Sequence, residues 1–392
     1  MSTFLGFIEE IPGISVDQFE RENKMSSAFF LSHCHADHMK GLSYDFFENL
    51  ERTERYLYCS PISKAILQHK FYINNLKCIK SLNIDEPSLI EYKIGNDKIV
   101  ISISCISAGH CPGSVMFLFE RNNMSILYTG DFRINSSDFP KLKNLHFNDG
   151  NKRIIKKINK IYLDTTFLQP EFEYLPSRQE SVAHISKIAK EWVERNSNNI
   201  VVLECSANYG SEFLFMELGK SLNIKIHVKD AVYQSYCHIK EMEQYITNNP
   251  QSTSIHACTY KFQRLLCMDG VDQNSILTIV PSVLRWHGKN IKIIGEQSED
   301  DERTYYVCYS THASFRELKE FVKYFNPDSI HPCVIPMEKY ISKNAFNNLL
   351  EELHKMPEMK LKEDPEKLFL NLSNCNKSKM TDYSIFSGDE DD

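Results

Sequence analysis

Apolar positions in the first 170 residues fall in short runs. Residues 28–32, 115–119, 126–128 and 161–163 are compact apolar stretches, and residues 99–106 alternate. Both patterns predict strands. From Ser177 the period changes. Ser177-Arg178-Gln179-Glu180 has the form of a capping box, and Val182, Ile185, Ile188, Ala189 and Trp192 then fall on one helical face. A βα alternation follows: strand 200–203, helix 211–222, strand 224–228, helix 238–247. Strands near 276–280 and 305–309, a helix at 315–325, a strand at 333–335 and a helix at 345–353 complete the pattern, which predicts an α/β architecture. The polar, aperiodic residues 371–392 predict a disordered tail.

A length of 392 residues suits two or three domains, and 42% hydrophobic residues with 24 Phe and 19 Tyr suffice for a sizeable core. No apolar run approaches the ~18 residues of a membrane span, and the first ten residues lack the basic start and apolar stretch of a secretory signal. The expectation is a soluble intracellular protein. The net charge is −7, of which residues 379–392 carry −4, leaving −3 for the rest. That balance excludes a globally basic nucleic-acid coat but not a local basic groove. The 12 Cys are scattered, which favours reduced thiols and, for any functional Cys, metal ligation over a disulfide.

The densest chemistry is His33-Cys34-His35-Ala36-Asp37-His38, directly after an apolar run. Four potential ligands in six residues are hard to satisfy as ordinary buried polar groups, and imidazole suits zinc while carboxylate can hold or bridge a harder ion. Ala108-Gly109-His110-Cys111-Pro112-Gly113-Ser114 and Thr129-Gly130-Asp131-Phe132-Arg133 each place a further ligand type just after a strand. Each later fragment alone reads as a turn; with the first they form a specific set. A carboxylate at Asp131 could bridge two ions.

These phrases, with Cys59-Ser60-Pro61, Leu163-Asp164-Thr165-Thr166 and the runs around Phe30 and Val115, resemble the metallo-β-lactamase superfamily. More narrowly, they resemble its β-CASP nucleases that act on DNA, over residues from about 14 to about 351. The resemblance implies an αββα sandwich with an inserted α/β β-CASP domain. The sandwich would occupy 1–168 and return at 304–370, the insert 169–303 and the acidic tail 371–392. It implies a first ion on His33, His35, His110 and Asp131, and a second on Asp37, His38 and the bridging Asp131, with Asp17 supporting the site. Asp164 and His312 correspond to a carboxylate–histidine pair that protonates the leaving oxygen. Val334 stands where RNA-processing members carry a metal-binding His, which favours DNA.

His227, His256, Cys258 and Cys267 form a separate set inside the insert. Two His and two Cys are a common tetrahedral zinc set, and the family carries a structural zinc there. The implied cofactors are zinc in the active site, with Mg2+ or Mn2+ as alternatives for the second ion, and one structural zinc. The implied activity is that of a DNA endonuclease with 5′–3′ exonuclease activity. It would trim hairpins, overhangs and single/double-strand junctions at DNA ends during non-homologous end joining, as a nuclear monomer. The resemblance also implies the DNA-dependent protein kinase and the end-joining ligase as candidate partners, although this sequence does not match the long regulatory tail that carries those contacts in the family.

Two positions depart from the family. Ala36 replaces a Lys, and Ser206, beside Glu204, replaces another basic residue. Lys152, Arg153, Lys156, Lys157 and Lys160 could bind DNA backbone or form a solvated face. Two other functions compete: a hydrolase of RNA or a small ester, and a catalytically idle DNA-end adaptor. Val334 argues against the first and the full ligand set against the second.

Overall fold

The structure, a computed structural model, describes residues 2–73, 77–150, 152–205, 210–258, 267, 270–287, 289, 293–336 and 341–354. The predicted tail 371–392 and Ser206 lie outside these residues. The chain divides into two compact units. The first comprises Met1–Lys64, Asn75–Gln169 and His312–Asp392, the second Ala65–Asn74 and Pro170–Thr311.

In the first unit, four parallel strands, Ile14–Val16, Ala28–Phe30, Tyr56–Cys59 and Ile79–Ser81, form one sheet. A six-stranded sheet runs in the order Ser329–Pro332, Lys160–Leu163, Met124–Tyr128, Val115–Arg121, Asp97–Ser107, Ser88–Ile94. Strand alternation shows why they stack. Phe30 meets Phe117 and Phe119 at ring distances of 5.5 and 5.1 Å, whereas Phe29, pointing the other way, meets Phe46 of the helix Tyr44–Arg52 at 5.1 Å. Val115, Phe117 and Phe119 belong to the core between the sheets. Met116 and Leu118 belong to the core beneath the helices Phe315–Phe325 and Lys343–His354. A strand covered on both faces reads as a continuous apolar run rather than an alternation. The result is the expected helix–sheet–sheet–helix sandwich.

The second unit is a seven-stranded sheet in the order Ile246–Thr247, Ile226–Val228, Ile255–Ala257, Ile200–Leu203, Ile276–Ser282, Thr304–Cys308, Gly295–Gln297. All its pairings are parallel except that of Gly295–Gln297. The helix Arg178–Arg195 starts with the predicted capping box, Ser177 and Glu180 exchanging backbone bonds, and buries Val182, Ile185 and Ala189.

Several expectations are corrected. Thr304–Cys308 pairs with Ile276–Ser282, so the chain rejoins the sandwich at His312 rather than at 304. Where a helix is expected over 238–247, the chain forms the short helix Lys240–Glu243 and then the edge strand Ile246–Thr247, paired with Ile226–Val228. The strand expected at 333–335 lies at Ser329–Pro332, where pairing with Lys160–Leu163 fixes it.

Candidate metal centre

Every candidate active-site residue follows the carboxyl end of a strand. Asp17 follows Ile14–Val16, His33 to His38 follow Ala28–Phe30, His110 follows Asp97–Ser107, and Asp131 follows Met124–Tyr128. Asp164 directly follows Lys160–Leu163, and His312 follows Thr304–Cys308. Backbone bonds join these loops: Arg133 N–H to the Ala108 carbonyl at 3.0 Å, Ala313 N–H to Phe132 at 3.0 Å, and Val115 N–H to Ser32 at 2.9 Å. Gly130 is required where two loops cross. Its φ is +52°, and a Cβ there would lie 2.8 Å from Ser32 Cβ and Oγ. In the His110 loop the Ser114 hydroxyl accepts from the N–H groups of His110 and Cys111, both at 3.1 Å.

His33, His35, His110 and Asp131 bring one ligand atom each within 4.8 Å of one another, as do Asp17, His33 and His38. Asp131 lies at the centre. Its Oδ2 is 3.7 Å from both His33 Nε2 and His110 Nε2, and its Oδ1 is 3.3 Å from His38 Nε2. Asp37 lies at the margin of this group, its Oδ2 4.0 Å from His38 Nε2 and accepting from Ser2 N–H at 3.2 Å. Ala36 beside it is exposed.

The buried Asp17 fixes the imidazoles. Its Oδ1 accepts from Ser32 N–H at 2.7 Å; its Oδ2 accepts from Ser32 Oγ at 2.5 Å, from His38 Nδ1 at 2.8 Å and from the Tyr128 hydroxyl at 2.8 Å. Because Ser32 Oγ donates to Asp17, it accepts from His33 Nδ1 at 2.9 Å. Both rings then carry their proton on Nδ1 and present an Nε2 lone pair. His33 Nε2 and His38 Nε2 are buried and hydrogen-bond to nothing among the described residues. Such atoms are costly unless something accepts their lone pairs. A divalent cation among four imidazoles and two carboxylates fits these donors.

Titration of His33 and His35 agrees with this chemistry, whereas His38, raised by its carboxylate neighbours, must give up a proton before it can ligate. Burial, then His38 and His35, hold His33 well below the ordinary histidine range, and burial brings His35 to about 4. Both are neutral, as ligation requires. Burial works against ionising Asp131, but His38 and His312 outweigh it and keep the carboxyl well below its usual range. Burial likewise opposes charge on His38, and Asp131 and Asp17 overcome it, raising its pKa well above the ordinary value.

Beside this cluster, His312 Nδ1 contacts Asp164 Oδ2 at 2.9 Å, and its Nε2 lies 3.9 Å from Asp131 Oδ2. Asp164 is fixed in turn by Thr166, whose N–H and hydroxyl donate to Oδ1 at 3.0 and 2.6 Å. Burial would lower the His312 pKa; Asp164 and Asp131 raise it overall. Val334 is tied by its N–H to the Thr165 hydroxyl at 3.1 Å.

In the second unit, strand register sets His227 opposite His256, with Nδ1 atoms 3.1 Å apart. Cys258 Sγ lies 3.2 Å from Cys267 Sγ, and Cys267 Sγ lies 3.7 Å from His256 Nδ1. Both thiols are free, and the four ligand atoms lie within 4.8 Å of one another. A tetrahedral zinc with ordinary bond lengths separates its ligands by about 3.3–3.8 Å, close to these spacings. His256 Nε2 donates to the Thr253 carbonyl at 3.1 Å, which leaves Nδ1 unprotonated with its lone pair facing His227 and Cys267. Burial and His227 lower its pKa to about 4, whereas burial and Cys267 push Cys258 up to about 12.

Sequence reading missed Ser2, Ser32 and Tyr128. Ser32 and Tyr128 end apolar runs and look like core residues; nothing local marks their tie to Asp17.

A family described as DNA repair metallo-beta-lactamase matches residues 240–338. The sandwich, the parallel sheet of the second unit and the ligand loops are those expected of the metallo-β-lactamase/β-CASP family, which the chain resembles. In sequence the chain is Artemis-like. It is 36% identical to protein artemis of Homo sapiens over 88% of this chain and 51% of that protein. It is 37% identical to protein artemis of Danio rerio over 87% and 54%. It is 29% identical to the DNA cross-link repair 1A protein of Mus musculus over 88% and 32%. The chain thus spans about half the length of the artemis proteins it matches.

Proposed function

We propose that this chain is a metal-dependent DNA nuclease that trims hairpins, overhangs and single/double-strand junctions at broken DNA ends, in the nucleus, for non-homologous end joining. The observation that carries the reading is the convergence of four histidines, His33, His35, His38 and His110, on Asp131, with a carboxylate-held histidine beside them. The family described as a DNA repair group, and relatives named for DNA cross-link repair, support DNA as the substrate.

His33, His35, His110 and Asp131 would hold a first ion, and this imidazole-rich set suits zinc. Asp37, His38 and Asp131 would hold a second; the larger carboxylate share also suits Mg2+ or Mn2+. When bound, such a pair supplies an activated water and neutralises charge on the phosphate. His227, His256, Cys258 and Cys267 would hold a structural zinc. The chain's own contribution to bond breaking is a proton. Asp164 takes the Nδ1–H of His312, orients the ring and favours its protonated form, so Nε2–H is available to the departing 3′ oxygen. Asp17 keeps the ligand rings in register. None of these groups reads a base, so strand geometry would select the substrate.

The test is cleavage of a hairpin DNA against a matched single-stranded RNA by the purified chain with Zn2+, Mg2+ or Mn2+. Metal-dependent opening of the hairpin, abolished in Asp37→Ala with the fold intact, is expected. Turnover of Asp37→Ala within threefold of the parent, or faster cleavage of the RNA, rejects the assignment.

A further inference from the structure

Asp37 differs from the other proposed ligands in how it is held. His33 and His38 lean on Asp17, and the His110 loop leans on Ser114. The Asp37 carboxylate receives its hydrogen bond from a distant stretch of chain, the Ser2 N–H. That stretch is firmly seated. Thr3 N–H donates to the Cys333 carbonyl at 3.0 Å, the Thr3 hydroxyl donates to the same carbonyl at 3.2 Å, and Ile335 N–H donates to the Thr3 hydroxyl at 2.9 Å. Phe4 is 8% exposed, with its ring 5.3 Å from Tyr128, 5.4 Å from Tyr162 and 5.9 Å from His331. Tyr128 is the residue whose hydroxyl donates to Asp17.

We propose that residues Ser2–Phe4 form a positioning strap that aims Asp37 at the second ion; this rests on the reading of Asp37 as a ligand of that ion. The strap joins three strand ends: Phe4 packs on Tyr128 and Tyr162, Thr3 clamps the turn after Ser329–Pro332, and Ser2 reaches the ligand loop. A partly exposed carboxylate on a loop would otherwise sample several rotamers, each a loss of ligand strength. Partners of this kind are worth about 10–100-fold in metal affinity. The second ion depends on the strap most, because the first is served by ligands held elsewhere.

The test uses the full chain in two variants, Thr3→Val, which keeps the side-chain shape and removes the hydroxyl, and Phe4→Ala, which removes the anchor. Mn2+ is titrated into each after one equivalent of Zn2+ has been bound. The expected result is a second-ion dissociation constant raised about tenfold or more, with the first ion retained and cleavage restored at high Mn2+. A purely structural defect would not be rescued by metal. Second-ion affinity within twofold of the parent in both variants overturns the proposal. If Phe4→Ala fails to fold, Thr3→Val decides alone. Asp37→Ala in the same titration separates the premise: retention of both ions there overturns the ligand reading and the strap with it. Loss of the second ion in Asp37→Ala, but not in the strap variants, overturns the strap alone.

Discussion

Asp17 touches no proposed reacting atom, yet two imidazoles take their orientation from it. Asp17→Asn keeps the shape but sets an amide donor against groups that are already donors. Metal competition should show affinity lowered by about 10–100-fold with the secondary structure unchanged, and equal affinity would show that the tautomers are fixed otherwise. His312 makes a separate prediction. If it is the proton donor, it acts only when protonated, so the rate should fall as pH rises through its raised pKa. Asp164→Asn removes the charge that raises that pKa while burial remains, so the falling limb should shift to lower pH. In His312→Ala cleavage should slow by roughly 10²–10⁴-fold, and the defect should shrink when sulfur replaces the scissile oxygen, since a thiolate leaves without a proton. Equal defects on the two substrates would place His312 in a positioning role.

Strand ends account for what could be read from the sequence and what could not. His33 to His38 are legible because four ligand types crowd one loop, and an apolar run before them marks the strand. Asp164 and His312 stand 148 positions apart and meet only through tertiary structure, so they needed the family resemblance. The strand Ile246–Thr247 escaped because two residues carry no period, and only pairing with Ile226–Val228 makes them a strand. The 304 boundary failed because the apolar stretch at 305–309 fits either sheet equally well; hydrogen bonding to Ile276–Ser282 decides it. Register also makes the His227–His256 pair, which lies on adjacent strands. If that pair and the two thiols hold zinc, His256→Ala should lose about one zinc per chain and melt at a lower temperature, the active-site ions remaining. Unchanged stoichiometry by elemental analysis would reject the site.

For the whole molecule, charge and chain order matter most. The chain carries −7 overall, and −4 of it lies in residues 379–392. A chain ending at residue 378 should therefore bind a DNA hairpin several-fold more tightly at low salt, with the difference fading as the Debye length shrinks toward about 3 Å at 1 M. A difference that persists at high salt would point to a specific contact instead of simple repulsion. Among the described residues no helix is long and apolar enough to cross a membrane. Chain order has a consequence for synthesis. Met116 and Leu118 share a core with Phe315, Leu318 and Phe321, which follow about 200 residues later. At about 5–20 residues per second, the part of this core completed by Phe315, Leu318 and Phe321 waits roughly 10–40 seconds while the other unit emerges from the ribosome. During that interval the incomplete core around Met116 and Leu118 is uncharged and β-prone, the kind of surface a holdase chaperone would protect until the last helices arrive.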